Sequence, residues 1–227
     1  DLLTETYIEQ MKALIEGGVD ALLIETIYDG LNAKAAIWAA RRAMEIVGVR
    51  VPLMLSVTLT ESGRTLSGQT LEAIIASMSF GEPMSIGLNC GFGADAMMKY
   101  VEALQPYPYA VSVYPNAGLP NEMGEYDETP SMMADKIRVM LQRRWVNIVG
   151  GCCGTTPQHI KALAELCKQY APRVVPEVEP EMTLAGLEPL CVTPRLNFVN
   201  VGERCNVAGS RKFLRLIKEG NIDEAID

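Results

Sequence analysis

A single histidine, His159, is all the imidazole this sequence offers, so a histidine-based metal site or a Ser-His-Asp arrangement has almost nothing to draw on. His159 falls in the first turn of an expected helix and is read as a surface residue. No apolar run approaches the ~18 residues that a bilayer-spanning helix needs, so a membrane is not an expected partner. Basic clusters are few and the net charge is −8, which argues against nucleic acid or an anionic membrane surface as a partner. No charged head, apolar stretch and small-residue cleavage site opens the chain. It starts at Asp1 rather than Met and reads as an internal piece of something longer. No phosphate-cradling glycine fingerprint follows the first apolar run, which removes the main signature of a dinucleotide-binding sheet.

What is present describes an ordinary soluble chain. Its 227 residues, 48% hydrophobic and 21% charged, suffice for one large core, or for one domain with part of a second. Six cysteines, Cys90, Cys152, Cys153, Cys167, Cys191 and Cys205, in a chain this long and without secretory signals, fit a reducing cytoplasm better than a disulfide framework. Cys167 and Cys191 are read as small buried apolar groups.

Apolar spacing alternates between two periods along most of the chain. From Thr4, the residues Ile8, Met11 and Ile15 lie at helical spacing, and Gly17-Gly18 supplies the stop. Asp20 to Glu25 then reads as a strand buried on both faces, as in a parallel sheet. A helix is expected from about Asp29, its N-cap, to Ile46. Pro52 to Val57, Met84 to Leu88, Tyr109 to Tyr114 and Trp145 to Val149 read as further strands. Helix faces follow at Leu71/Ile74/Ile75/Met78, Met97/Val101/Leu104, Met133/Ile137/Met140/Leu141 and Ile160/Leu163/Ala164/Cys167. Five strands, each followed by a helix, imply parallel pairing with right-handed crossovers. An open doubly wound sheet and an eight-stranded β/α barrel both satisfy this, and the missing glycine fingerprint favours the barrel. In either, functional residues gather at the carboxyl ends of the strands. Those ends hold Glu25, Cys90, Asn116 and Cys152-Cys153.

From Ala171 the character changes. Pro172, Pro176 and Pro180, spaced among valines and glutamates, read as an extended semi-rigid linker over 172–195. Leu196 to Val201 is a new apolar run and Lys212 to Glu224 a helical one, which would open a second domain over 196–227. Arg64, in SGRTLSGQT, is either a loop charge or part of a partner-docking surface.

The cysteines carry the chemistry. Cys90 ends Gly-Leu-Asn-Cys, and Cys152 and Cys153 sit in Gly-Gly-Cys-Cys-Gly-Thr-Thr-Pro. Adjacent cysteines rarely bridge to each other because the disulfide dihedral is strained. Zinc takes sulfur ligands in a tetrahedral shell, and catalytic zinc keeps one position for water or substrate. Three thiolates at strand ends therefore suggest a zinc site with one open position, against the plainer alternative of three buried thiols. Thr155 or Thr156 can cap the helix that Pro157 opens.

GLNC at Gly87 to Cys90, YPNAGLPN at Tyr114 to Asn121, GEYD at Gly124 to Asp127 and NIVGGCCGTTPQHI at Asn147 to Ile160 resemble the homocysteine-binding module of cobalamin-dependent methionine synthase. FVNVGERCNVAGS at Phe198 to Ser210 resembles the opening of that family's folate-binding barrel, although the family usually has Thr where Cys205 stands. The resemblance implies a partial (β/α)8 barrel over 1–171, its last five strands, with three earlier strands lying before Asp1, and the first strand and helix of a second β/α barrel after the linker. It implies zinc on Cys90, Cys152 and Cys153 and homocysteine as substrate. It implies methylcobalamin on a separate module and 5-methyltetrahydrofolate as methyl donor, with the cobalamin- and folate-binding modules of a full-length chain as partners. Glu25 would receive the substrate ammonium group, and Asn206 would face the pterin. Asn116 is either a weak oxygen ligand that holds the open position until substrate arrives or a turn residue bonded to local backbone.

Two other readings share the pattern. A stand-alone betaine- or S-methylmethionine-type homocysteine methyltransferase has the same cysteines but no GERCNV segment. A closed, non-catalytic zinc module needs a fourth strong ligand, for which Cys167 or His159 are the candidates.

Overall fold

The computed structural model of the chain describes residues 2–200, Gly202 and 206–226. Five parallel strands, β1 (Leu22–Ile27), β2 (Leu53–Val57), β3 (Ser85–Gly93), β4 (Ala110–Asn116) and β5 (Ile148–Val149), lie side by side in sequence order. Helix α1 (Leu2–Glu16) precedes β1. The connections carry α2 (Gly30–Val47), α3 (Leu71–Met78), α4 (Ala94–Ala103) and α5 (Pro130–Gln142), and α6 (Pro157–Cys167) follows β5. Order and direction are those of consecutive βαβ units, as the alternating periodicity predicts.

Ladder register sorts the side chains into two layers. Ile24, Leu55, Ile86 and Val111 are successive partners across β1 to β4, as are Val57, Leu88, Val113 and Val149 across β2 to β5. Most of this layer is fully buried with Ile37, Ile74, Met97, Met133 and Ile137 from the helices. The opposite layer is small and polar at its centre, with Ser56 beside Gly87 and Gly87 beside Ser112. A side chain at Gly87 would collide with the backbone oxygen of Ser112.

One strand differs from expectation. Glu25 is exposed and Leu23 is 41% exposed, so β1 is not buried on both faces. β1 is the edge of the sheet and pairs only with β2, so its opposite-layer side chains have a neighbour on one side alone. The α2 cap is as predicted: Asn32 N–H donates to Asp29 Oδ1 at 2.7 Å, and Gly48 ends the helix in the left-handed region.

After α6 the chain is tied to the amino-terminal end of the sheet by Arg173, which is 5% exposed. Its guanidinium donates to Gln105 Oε1 (2.9 Å), Gln105 O (2.8 Å), Tyr107 O (3.0 Å) and Tyr109 O (2.8 Å). Burial lowers its pKa from the usual arginine value. Over 172–181, where an extended linker is expected, the chain has no regular secondary structure, and 182–192 forms a two-stranded sheet of β6 (Met182–Ala185) and β7 (Pro189–Val192). Its turn is docked on the loop between β2 and α3: Thr70 N–H donates to Leu187 O (3.0 Å), Gln69 Nε2 donates to Gly186 O (2.9 Å), and Arg64 pairs with Glu188. Arg64 is therefore a loop charge with a partner inside the chain. Cys191, expected to be buried, is exposed, because it lies on this peripheral sheet and not in the core. Cys167 is half-buried against the core.

Contacts divide the chain into two compact units between Cys191 and Val192. In the second, residues 196–200 are irregular. Val201 of the expected strand lies outside the described residues, and a strand segment without a ladder partner has nothing to hold it extended. The expected single helix is two, α7 (Arg211–Glu219) and α8 (Ile222–Ile226), interrupted where Gly220 takes φ 74°. Among the described residues no helix is long and apolar enough to cross a membrane.

Arg173→Ala removes donors from four acceptors at once. Unfolding in urea is expected to show a loss of about 2–3 kcal/mol with an unchanged denaturant slope.

Candidate metal centre

Cys90 lies in a β-bulge. The β3–β4 register runs Asn89 to Tyr114 and then Gly93 to Asn116, so Cys90, Gly91 and Phe92 oppose Pro115 alone. Cys90 takes φ 59° and Gly91 φ 72°. A side chain at Gly91 would approach Leu59 O to 2.8 Å, so this turn requires glycine. A bulge of this kind redirects a side chain that regular pleating would send elsewhere. Cys152 and Cys153 continue past β5 along the end of β4. Cys152 N–H donates to Pro115 O (2.8 Å), Ala117 N–H to Cys153 O (2.9 Å), and Cys153 N–H to Asn116 Oδ1 (3.1 Å).

The two stretches converge. Cys90 Sγ is 3.5 Å from Cys153 Sγ, Cys152 Sγ is 4.0 Å from Cys153 Sγ, and all three sulfurs lie within 4.8 Å of one another. Tetrahedral zinc with sulfurs at ~2.3 Å sets sulfur–sulfur edges of about 3.8 Å, so the donor set fits zinc closely. Charge follows the same logic. Burial alone would raise the Cys90 thiol, but the Gly91 N–H, then Cys153, Cys152 and Asn116, outweigh it and bring Cys90 below its ordinary value. Burial, then the hydrogen bond to and the charge of Cys90, push Cys152 up to about 11. One thiolate is readily held here and a second is opposed by the first, an arrangement that a divalent cation relieves.

The remaining predicted residues are spread unevenly. Asn116 is 4% exposed at the end of β4, with its Oδ1 on the Cys153 amide and its side chain also in contact with Cys90. Its amide therefore bonds across strands and not within a local turn. Glu25 stands at the carboxyl end of β1, close enough for its charge to act on Tyr114. Asn206 is in the second unit, where its Oδ1 caps a short turn by accepting from Ala208 N–H at 2.9 Å.

His159 is not a surface residue; it is 5% exposed. Thr156 N–H donates to Nδ1 (3.2 Å), which makes Nδ1 the acceptor and leaves Nε2–H to donate to Glu128 O (2.8 Å). The ring thus completes a capping box on α6 and pins that helix to the loop before α5. Pro157 opens α6 with Thr156 as its cap, as predicted.

Sequence reasoning passed over three contributors. Tyr126, in the quoted GEYD motif, packs directly over Gly154, where a side chain would collide with its ring. Its hydroxyl and that of Tyr28 are raised by burial first and then by the cysteine charges, so both line the sulfur cluster. Asn89, immediately before Cys90, is 1% exposed, with both side-chain polar atoms hydrogen-bonded.

A family model described as homocysteine S-methyltransferase matches residues 1–167. The chain belongs to that family. Its fold is shared by crystal structures of the homocysteine methyltransferase MmuM from Escherichia coli. The apo form aligns with a TM-score of 0.54 at 24% identity, over 72% of this chain and 57% of that one. The metallated form gives 0.51 at 24% over 70% and 51%, and the oxidized form 0.51 at 23% over 70% and 52%. The chain therefore spans between half and three-fifths of the length of these homocysteine methyltransferases. Its five-stranded parallel sheet corresponds to a partial β/α barrel of this family.

His159→Ala removes the side-chain half of the cap and orphans Glu128 O. The expected cost is about 1–2 kcal/mol, measured as a lower urea midpoint.

Proposed function

We propose that this chain carries the thiol-activating site of a homocysteine S-methyltransferase, with zinc held by Cys90, Cys152 and Cys153. The observation that carries the reading is the convergence of three sulfurs within 4.8 Å at the carboxyl ends of the strands, in a chain of this family. Three protein ligands leave a tetrahedral shell one position short, the composition of a catalytic site and not a structural one. Among the described residues no fourth strong donor joins the cluster. His159 has both ring nitrogens engaged elsewhere, which disfavours a closed structural zinc module.

The free thiol of homocysteine is mostly protonated at neutral pH, with a pKa of about 8.5; zinc bound here would hold it as a thiolate that remains nucleophilic. The chain's own residues hold and orient. The bulge at Cys90 and the ladder from Cys152 to Ala117 set two thiols against the third. Asn116 steadies the Cys153 amide through its Oδ1. Glu25, exposed at the end of β1, offers a carboxylate for the ammonium group of an amino-acid substrate.

For the methyl donor we favour methylcobalamin on a separate module, recharged from 5-methyltetrahydrofolate, as in methionine synthase. The support is the GERCNV segment, of which 203–205 lie outside the described residues, and Asn206 would face the pterin there. The second reading, a stand-alone betaine- or S-methylmethionine-type enzyme, is favoured by the extent of the family match, which ends at 167.

X-ray absorption at the zinc edge tests the reading. The expected result is three sulfurs and one lighter atom, becoming four sulfurs when homocysteine is added, and an unchanged shell would sink it. Cys152→Ala is expected to lower zinc content below 0.1 equivalent per chain, on the order of a 100-fold loss of affinity, measured by metal analysis after dialysis. Glu25→Gln is expected to weaken homocysteine binding about 10-fold with zinc content unchanged, measured by titration calorimetry.

A further inference from the structure

β1 carries a second bulge that mirrors the one at Cys90. The β1–β2 register runs Ile24 to Leu55 and then Ile27 to Val57, so Glu25 and Thr26 together oppose Ser56. Thr26 takes φ 58°. For a β-branched residue this left-handed conformation is strained, by about 1–3 kcal/mol, and persists only where surroundings over-determine it.

One side chain does this. Asn89 Oδ1 accepts from Thr26 N–H (3.0 Å) and from Ser56 Oγ (2.8 Å), while Asn89 Nδ2 donates to Thr26 Oγ1 (2.9 Å). The Asn89 carbonyl, which leads into Cys90, accepts from Thr58 Oγ1 at 2.9 Å. Asn89 thus grips Thr26 from both sides, reaches across β2, and has its own peptide fixed at the entry to the Cys90 bulge. None of these four hydrogen bonds reaches a sulfur.

The geometry points to Asn89 as a positioning residue that couples the strand end carrying Glu25 to the bulge carrying Cys90. This rests on the functional reading above for the roles of those two residues. The coupling makes the distance between the ammonium-binding carboxylate and the sulfur cluster a property of one side chain. A homocysteine molecule anchored at both ends requires that distance to be fixed.

The test uses the whole chain with Co(II) as probe, whose thiolate charge-transfer absorption reports sulfur ligation. Asn89→Ala is expected to weaken Co(II) binding about 10–100-fold and to lower the intensity of that absorption. The double variant Asn89→Ala/Thr26→Gly is expected to recover most of the loss, because glycine adopts the left-handed turn without support. A merely structural role for Asn89 would leave the double variant no better than the single one, and that result would overturn the proposal. An unchanged Co(II) titration in Asn89→Ala would do the same. If that variant does not fold, Ser56→Ala, which removes one donor, takes its place with the same criterion. A metal-free arm separates this inference from the functional one. With Cys90 and Cys153 sulfurs 3.5 Å apart, diamide takes two electrons and two protons from the pair and leaves a disulfide, detected in tryptic peptides by mass spectrometry. Oxidation is expected to slow about 10-fold in Asn89→Ala, as for other losses of ligand orientation. Wild-type protein that binds no metal yet shows this difference would refute the zinc reading and keep Asn89 as the positioning residue. Equal oxidation rates would overturn the coupling itself.

Discussion

Three thiols held within 4.8 Å of one another resist ionising together, because each negative sulfur raises the cost of the next. The chain accepts this arrangement and supports it with neutral donors only: the Gly91 and Cys153 amides and the Asn116 side chain, with Tyr28 and Tyr126 alongside. Among the described residues, no Lys or Arg is among the groups that act on the three sulfurs, and a bound cation would supply the balancing charge. Much of the local backbone follows from that demand, since the thiols arrive from distant parts of the chain and must meet at one point.

The parallel sheet makes the meeting possible. Its ladders place the carboxyl ends of β3 and β4 side by side, and the stretch after β5 continues along the end of β4. The helix-facing layer supplies the rigidity. Leu55, Ile86, Val113, Met97 and Ile137 pack without exposure, so the strand ends cannot drift. The other layer is thinned to Ser56, Gly87 and Ser112, which keeps bulk away from the sheet face below the site.

Regular strands alone would not suffice, since pleating alternates side chains between faces. Two bulges break that alternation, at Glu25-Thr26 and at Cys90-Gly91, each with a left-handed residue at its centre. Backbone strain of this kind is stored where surrounding contacts outweigh it. Here those contacts are the hydrogen bonds of Asn89 to Thr26 and Ser56 and of Thr58 to the Asn89 carbonyl.

The alternating periodicity, the cysteine pattern and the motif resemblance were legible in the sequence, because hydrophobic spacing dictates which elements form and a Cys-Cys pair between glycines has few structural uses. The predicted strands fall within a few residues of those observed, and the Asp29 and Thr156 caps follow from local chemistry. Burial was less legible. Local sequence points His159 to the surface because the acceptor that holds it, the Glu128 carbonyl, is distant in sequence. Local sequence points Cys191 to the core because nothing nearby reveals that its strand belongs to a peripheral sheet. The exposure of β1 follows from its place at the sheet edge, which only the assembled order of strands defines. Asn89 stood beside Cys90 in plain view, yet its role depends on Thr26, Ser56 and Thr58, on two neighbouring strands. Sequence determined the elements and the donor atoms; tertiary structure decided register, bulges and who meets whom, because those are properties of long-range pairing and not of neighbouring residues.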